Sequence, residues 1–156
     1  MEPEILTAYG NRLRIRACGI CRQGDTLLLV NHAGLGKKSF WAPPGGEVMF
    51  GHGLAETVER EFLEETGLVV VCGNFRFAGE FIDPPLHAVE LFFETRITGG
   101  SLRTGHDPEV NFRTIRQARF FTTDEIRSLP AHEKHGLFRY CHNADDLNKL
   151  TGFYRF

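Results

Sequence analysis

The order of apolar and polar residues predicts a chain of many β-strands with one well-defined helix. The helix covers 54–66, where apolar residues recur three and four positions apart, and Gly67 follows as a C-terminal stop. A second, short helix is predicted to open at the capping box Thr122–Glu125 and to end at Pro130, and 98–108 is predicted as a polar loop. Alternating or continuous apolar runs bounded by turn residues predict strands over 5–9, 13–22, 26–30, 68–72, 74–83, 87–95 and 118–121.

Three carboxylates share one side of the predicted main helix. At about 100° per residue, Glu61, Glu64 and Glu65 fall within one arc of about 100°. Glu61 and Glu65 overlap the apolar stripe formed by residues such as Val58 and Phe62, which is expected to face the core. Crowded like charges beside a buried face are unfavourable unless a positive charge lies near them, and clustered carboxylate oxygens suit a hard cation such as Mg²⁺. The alternative is a solvated acidic helix surface, which the overlap with the apolar stripe disfavours.

The segment before this helix is suited to an anion. Pro43-Pro44 gives an extended approach, and Gly45-Gly46 allows the main chain to come close to a ligand. A glycine turn that leads into a helix N-terminus favours negative charge. Because an anion site and a cation site adjoin in the sequence, the pattern indicates phosphate ester or pyrophosphate chemistry.

These residues together resemble the Nudix box, the motif G-x5-E-x7-R-E-U-x-E-E-x-G-U in which U is apolar. The match has one departure, because His52 occupies the position of the first glutamate. Three roles stay open for a neutral imidazole there: a metal ligand, a hydrogen-bond partner of Arg60, or passive packing. The matching residues are Gly46, Arg60-Glu61-Phe62, Glu64-Glu65, Gly67 and Leu68.

The resemblance implies an α/β (α+β) fold, a Nudix-like α/β/α sandwich with a mixed β-sheet. It also implies a hydrolase that uses Mg²⁺ (or Mn²⁺) bound by Glu61, Glu65 and Glu64 with Gly46. Arg60 would brace the carboxylates, since a guanidinium suits bidentate pairing. Many members take a further acid or base from a loop outside the box, and Glu109 is our first choice for that residue here. The predicted catalytic set is therefore Glu61, Glu64, Glu65, Arg60 and Glu109.

Substrate contacts are predicted at Gly45, Gly46, Trp41 and Glu80. An aromatic ring at position 41 is suited either to stacking on a base or to core packing. Glu80, together with Glu90 and Glu94, lies on a predicted strand and either lines a cleft or forms the wet face of a sheet; for any one of them the wet face is the stronger interpretation.

Length and composition fit one domain over 1–156, with 131–156 as a C-terminal extension packed on it. The chain is 42% apolar and 24% charged. A net charge of −2 gives no electrostatic reason to expect nucleic acid or a membrane surface as partner. The N-terminus lacks an apolar run, so a cytoplasmic protein is expected. The four cysteines are interpreted as ordinary thiols, and the extension either simply packs or forms a homodimer contact or a substrate lid.

The function predicted from the sequence is hydrolysis of the pyrophosphate bond in a nucleoside diphosphate linked to another group. ADP-ribose or a nucleotide sugar is favoured as substrate and a nucleoside triphosphate comes next, again from the resemblance. The alternative is a Nudix-like domain that binds a nucleotide without cleaving it. The intact Arg60-Glu61 and Glu64-Glu65 pairs favour the enzyme, because a domain without catalysis has no physical need for crowded acids.

Overall fold

The computed structural model describes residues 3–32, 39–103 and 115–156, which form two β-sheets with helices packed against them. Two short 3₁₀ segments, Ala131–Glu133 and Gly136–Arg139, follow the third helix. The elements in chain order are α1 (Pro3–Tyr9), β1 (Arg12–Ile20), β2 (Arg22–Gln23), β3 (Thr26–His32), β4 (Phe40–Ala42), β5 (Gly45–Glu47), α2 (Leu54–Thr66), β6 (Leu68–Asp83), β7 (Leu86–Gly100), β8 (Ile115–Phe121), α3 (Thr123–Ser128), α4 (Ala144–Leu147) and β9 (Phe153–Arg155).

The first sheet is mixed, with the strand order β5-β1-β7-β6-β9. Strand β1 pairs antiparallel with β5 and parallel with β7, and β6 pairs antiparallel with β7 and parallel with β9. The second sheet is antiparallel and places β3 between β4 and β8, with β2 at its end. The predicted fold class, α+β with a mixed sheet, is confirmed.

The core lies in two main clusters on either side of the central strands. Leu27 and Leu29 of β3 enter the first cluster, while Leu28 between them enters the second. A strand that is buried on both faces has a continuous run of apolar residues, which is why 27–30 is apolar throughout. Cys18 and Cys21 likewise face different clusters, and all four thiols are free, as the sequence predicts.

Helix α2 has the predicted bounds, and its apolar stripe packs into the second cluster. Val58 and Phe62 are fully buried there. The helix ends because Gly67 adopts a left-handed conformation with φ 76° and donates its N–H to the carbonyl oxygen of Leu63. This geometry brings the acidic arc beside the buried face, at the edge of the mixed sheet where β5 lies.

Several predicted elements differ from the observed ones. Residues 5–9 form part of α1, not a strand, because a short amphipathic run buries Ile5 and Tyr9 equally well with helical spacing. Strand β6 continues through 73, where register shifts between Cys72 and Phe77 absorb the interruption. Strand β7 extends to Gly100, so the predicted loop over 98–108 starts later than expected.

The short helix α3 opens at the predicted capping box. The Thr122 hydroxyl accepts the Glu125 N–H at 3.3 Å, and the Glu125 carboxylate accepts the Thr122 N–H at 2.7 Å. We expect Thr122→Ala to lower the free energy of unfolding by about 1 kcal/mol, because it exposes one unpaired helical N–H. Urea unfolding would measure the change, with Thr123→Ala as control, since that hydroxyl takes no part in the box; equal effects of the two substitutions would contradict the capping role.

The C-terminal residues contribute to the first core cluster. Leu137 is fully buried there, and Phe138, Leu147 and Leu150 are buried as well. None of the helices in the part of the chain that the structure describes is both long enough and apolar enough to cross a membrane.

Candidate active site

The double glycine of the motif forms a strand at the edge of the mixed sheet. Strand β5 pairs with β1 so that Gly45 lies opposite Cys18 and Gly46 opposite Ala17. A Cβ atom at Gly46 would overlap the carboxylate of Glu61. Glycine is required at this position because a carboxylate packs directly on the main chain.

Two carboxylates of α2 are buried beside these glycines. Glu65 is 3% exposed and accepts the N–H of Gly45 through Oε2 at 3.0 Å. Glu61 is 4% exposed and lies against Gly46. The overlap of the acidic arc with the apolar stripe therefore has the predicted consequence, since both charges lie out of bulk water.

Arg60 pairs with two of the three predicted acids. Its Nη2 lies 2.9 Å from Oε1 of Glu61, and its Nη1 donates to Oε2 of Glu64 at 3.1 Å. The Glu64 side chain is 23% exposed, so it reaches solvent where Glu61 and Glu65 do not. A guanidinium that contacts two carboxylates fixes their rotamers and offsets part of their mutual repulsion.

The donor set fits a hard dication. Among the residues that the structure describes, no three His, Cys, Asp or Glu side chains converge as a ready-made metal cage. Mg²⁺ does not require such a cage, because it is held by one or two carboxylates and completes its octahedron with water and substrate phosphate. Glu61 and Glu65, buried against glycine main chain, are a donor set of that kind.

His52, which replaces the first glutamate of the motif, contacts a different glutamate of α2. Its Nδ1 is 3.1 Å from Oε1 of Glu56, one turn along α2. The second oxygen of Glu56 accepts the N–H of Gly53, which caps the helix. This polar contact at the exposed helix N-terminus is none of the three roles left open by the sequence.

A second group of buried charged residues lies on β1, β7 and the C-terminal segment. Glu90 of β7 is 2% exposed and accepts hydrogen bonds from Nη1 of Arg16 at 2.5 Å and from Nε2 of His135 at 2.6 Å. Interpreting Glu90 as part of a wet sheet face was therefore wrong. Burial alone would raise the pKa of Glu90, but the interactions with His135 and Arg16 outweigh burial and lower that pKa to about 2.

Arg16 connects this buried group to the glycine strand. Its Nη2 donates to the carbonyl oxygen of Gly45 at 3.0 Å. Burial would lower the pKa of Arg16, but the neighbouring Cys18 and then the carboxylates of Glu90, Glu65 and Glu61 raise it. Arg16 thus lies in the electric field of the predicted catalytic carboxylates, although no sequence motif marked it.

A cavity of about 690 Å³, including its open mouth, adjoins Arg16. Phe40 and Phe81 give it aromatic walls, and Asp83 and His87 give it polar groups. Aromatic walls with a few polar groups are the typical lining of a small-molecule site. The described residues that line it are Arg14, Arg16, Phe40, Phe81, Asp83, Leu86, His87, Ala88, Glu90 and His135.

The remaining predicted site residues have different surroundings. Trp41 is a core residue that packs edge-on against Phe121 at 4.6 Å, and its neighbour Phe40 lines the cavity instead. Glu80 is half-buried and lies 3.1 Å from His87, which lines the cavity. Glu109 lies outside the described residues.

Comparison with known proteins agrees with this arrangement. The model of the NUDIX domain family matches residues 10–140. The chain belongs to the NUDIX domain family. The resemblance seen in the motif is thereby confirmed, and family membership supports the prediction of a Nudix-type pyrophosphohydrolase. Nudix hydrolases generally use divalent metals.

Individual relatives extend the likeness over most of the chain. An ADP-ribose pyrophosphatase from Methanocaldococcus jannaschii is 30% identical over 119 residues, which are 74% of this Nudix chain and 66%, just under two thirds, of the relative. A NUDIX hydrolase from Nitrosomonas europaea has the same fold, with a TM-score of 0.68 at 21% identity over 88% of this chain and 90% of that one. An ADP-ribose pyrophosphatase from Streptococcus suis gives a TM-score of 0.62 at 18% identity over 92% and 98% of the two chains.

Proposed function

We propose that this Nudix protein hydrolyses the pyrophosphate bond of a nucleoside diphosphate linked to another group, with Mg²⁺ or Mn²⁺ as cofactor. The observation that carries the proposal is the burial of Glu61 and Glu65 against the main chain of Gly45 and Gly46. Burial of two like charges is unfavourable unless positive charge compensates them, and a bound dication would add to the compensation that Arg60 supplies. ADP-ribose is the favoured substrate because two of the relatives above are named as ADP-ribose pyrophosphatases.

Glu61 and Glu65 are the proposed metal ligands, with Glu64 and the Gly46 main chain assisting. A dication bound there supplies charge neutralisation of the diphosphate and a more acidic water. Arg60 keeps Glu61 and Glu64 in place through its two contacts. The N–H of Gly45 fixes one oxygen of Glu65, which leaves the orientation of that carboxylate defined before substrate arrives.

A proton acceptor for the attacking water is needed as well. Glu64 is the candidate among the described carboxylates of the motif. Its side chain is partly exposed to water, and its contact with Arg60 fixes the position of its carboxylate. Glu109 remains the candidate from outside the motif. The two assignments differ in a simple way, since Glu64→Gln should abolish the acid limb of a kcat–pH profile only if Glu64 is the base.

The nucleoside part of the substrate is proposed to occupy the cavity beside Arg16. The arginines of its wall are already paired, Arg14 with Glu47 and Arg16 with Glu90. Among the lining residues that the structure describes, both arginines are thus engaged by carboxylates, whereas Phe40 and Phe81 suit a neutral aromatic base. A nucleoside in this cavity, with its diphosphate toward Gly45, would place the diphosphate beside the proposed metal ligands and the base between the aromatic walls.

The test is a product assay over a panel of ADP-ribose, a nucleotide sugar and nucleoside triphosphates, each with Mg²⁺, Mn²⁺ or EDTA. We expect AMP and ribose 5-phosphate from ADP-ribose, formed with either ion and not with EDTA. A second candidate, nucleotide binding without cleavage, has one observation in its favour, namely His52 in place of the motif's first glutamate. Binding of ADP-ribose without any turnover across the panel would establish that alternative and overturn the proposal.

A further inference from the structure

Gly45 is bound by side chains at both of its main-chain polar groups. Its N–H donates to Glu65 at 3.0 Å, and its carbonyl oxygen accepts from Nη2 of Arg16 at 3.0 Å. The two groups belong to successive peptide planes, so together they fix the backbone angles of Gly45. A glycine without such contacts has more backbone freedom than any other residue type.

The guanidinium of Arg16 is itself held in place. One nitrogen bonds Gly45 and another bonds Glu90, which uses the planar fork that distinguishes arginine from lysine. Glu90 is nearly excluded from solvent, so the pair lies in surroundings where charged hydrogen bonds are strong and directional.

The second oxygen of Glu90 is bound by His135, and the tautomer of that histidine follows from its other contact. Its Nδ1 accepts the N–H of Leu137 at 3.1 Å, so the ring proton lies on Nε2 and is donated to Glu90. The histidine backbone is fixed too, because its N–H donates to the carbonyl oxygen of Trp41 at 2.9 Å. Trp41 lies four residues before Gly45. This contact therefore holds the C-terminal segment against β4, the strand that precedes the glycine strand β5.

We propose that Arg16, set by the buried Glu90–His135 pair, is a positioning residue that fixes Gly45 and through it the Glu65 carboxylate for catalysis. The inference rests on the proposed function for its catalytic consequence, but the geometry exists without substrate. It gives the C-terminal segment a part in the reaction, since His135 comes from the residues that follow the last strand of the second sheet.

Substitution of Arg16 by lysine tests whether the two hydrogen bonds of the guanidinium, to Glu90 and to Gly45, are needed together. Lysine keeps the charge but cannot bond Glu90 and the Gly45 carbonyl oxygen in one plane. We expect kcat for ADP-ribose with Mg²⁺ to fall about 10- to 100-fold while KM stays within about threefold, as for misplacement of a group that acts in the transition state. A raised KM with unchanged kcat would make Arg16 a substrate-binding residue, and a lower Tm with unchanged kcat and KM would make it purely structural; either result overturns the proposal.

A second measurement needs no activity. In the protein without substrate or metal, hydrogen exchange of the Gly45 amide should become about tenfold faster in Arg16→Lys, because one of the two contacts that hold this residue is lost. Arg14→Lys is the matched control, since Arg14 lines the same cavity but pairs with Glu47, and it should leave the Gly45 amide within about twofold of wild type. Equal exchange in wild type and Arg16→Lys would refute the positioning role even if the protein proved inactive on every substrate.

Two conservative substitutions of His135 separate its contacts. Gln places a donor near the position of Nε2 and so keeps the bond to Glu90, whereas Asn keeps an acceptor for the Leu137 N–H and loses the donor to Glu90. We expect His135→Asn to reduce kcat about tenfold and His135→Gln to restore at least half of wild-type kcat. The reverse order would show that capping of the following turn, not support of Glu90, is what His135 contributes.

Discussion

Replacement of Glu65 by Gln is expected to lower kcat by about 10²- to 10³-fold, with the fold intact. The amide still accepts the Gly45 N–H through its oxygen, so the packing of α2 on the glycine strand changes little. What is lost is one of the two buried negative charges proposed to hold the dication, and loss of a main charge-stabilising group has an effect of this size. Glu61→Gln should behave in the same way, because Glu61 lies equally buried against Gly46.

A matched control is available on the same helix. Glu56→Gln removes the same charge from an exposed position whose contacts are His52 and the Gly53 N–H, and glutamine serves as well as glutamate in a capping box. Steady-state rates with Mg²⁺ at saturating ADP-ribose would be compared for the three variants and wild type. We expect Glu56→Gln to stay within about twofold of wild type. Wild-type kcat in both Glu61→Gln and Glu65→Gln would refute their assignment as catalytic.

Replacement of Glu90 by Gln is expected to lower the free energy of unfolding by roughly 3 kcal/mol at pH 7. Both neighbours of Glu90 donate hydrogen bonds to it, and an amide offers one acceptor oxygen and one NH₂ group in place of two acceptors. One donor is then left facing an NH₂ group, and the Arg16 charge is left buried without its counter-charge. Removal of one partner from a buried ion pair is costly for this reason.

The contribution of Glu90 to the free energy of unfolding is expected to decrease as the pH falls. The pKa of Glu90 is lowered from 4.5 to about 2 in the folded protein, so its ionised form is favoured by folding. The stability that this carboxylate contributes is complete above its unfolded pKa and is lost as the pH falls from about 4.5 toward 2. The difference between wild type and Glu90→Gln in urea unfolding should therefore shrink across that window.

Glu94→Gln serves as the control for this effect. Glu94 lies on the same strand and pairs with Arg76 at 2.7 Å, but its side chain is 45% exposed. Exposed ion pairs contribute little, so we expect a change of at most about 1 kcal/mol. If Glu90→Gln proved as mild as Glu94→Gln, the buried pair would not have the energetic role that its geometry indicates.

The sequence was most informative where one local pattern determined both structure and chemistry. Helix α2 and its stop at Gly67 follow from apolar spacing and a glycine, and the capping box of α3 from two side chains three residues apart. These features depend on neighbours in sequence, which a single chain displays.

Features that depend on distant residues were missed or misread. Glu90 alternates along β7 like any wet-face residue, and only the pairing of β7 with β1 brings Arg16 opposite it. Alternation of arginines at 12, 14 and 16 marks one face of β1, a signal that something acidic lies across the sheet, but it does not name the acid. His135 carries no local signal at all, because its partners come from β4, β7 and its own turn.

Anomalous diffraction from crystals grown with Mn²⁺ and a non-hydrolysable ADP-ribose analogue tests the central claim most directly. The proposal predicts a manganese peak in contact with the carboxylates of Glu61 and Glu65, the analogue's diphosphate beside that ion, and its adenosine in the cavity walled by Phe40 and Phe81. A manganese ion bound elsewhere, with Glu61 and Glu65 free of metal and the diphosphate remote from Gly45-Gly46, would contradict it.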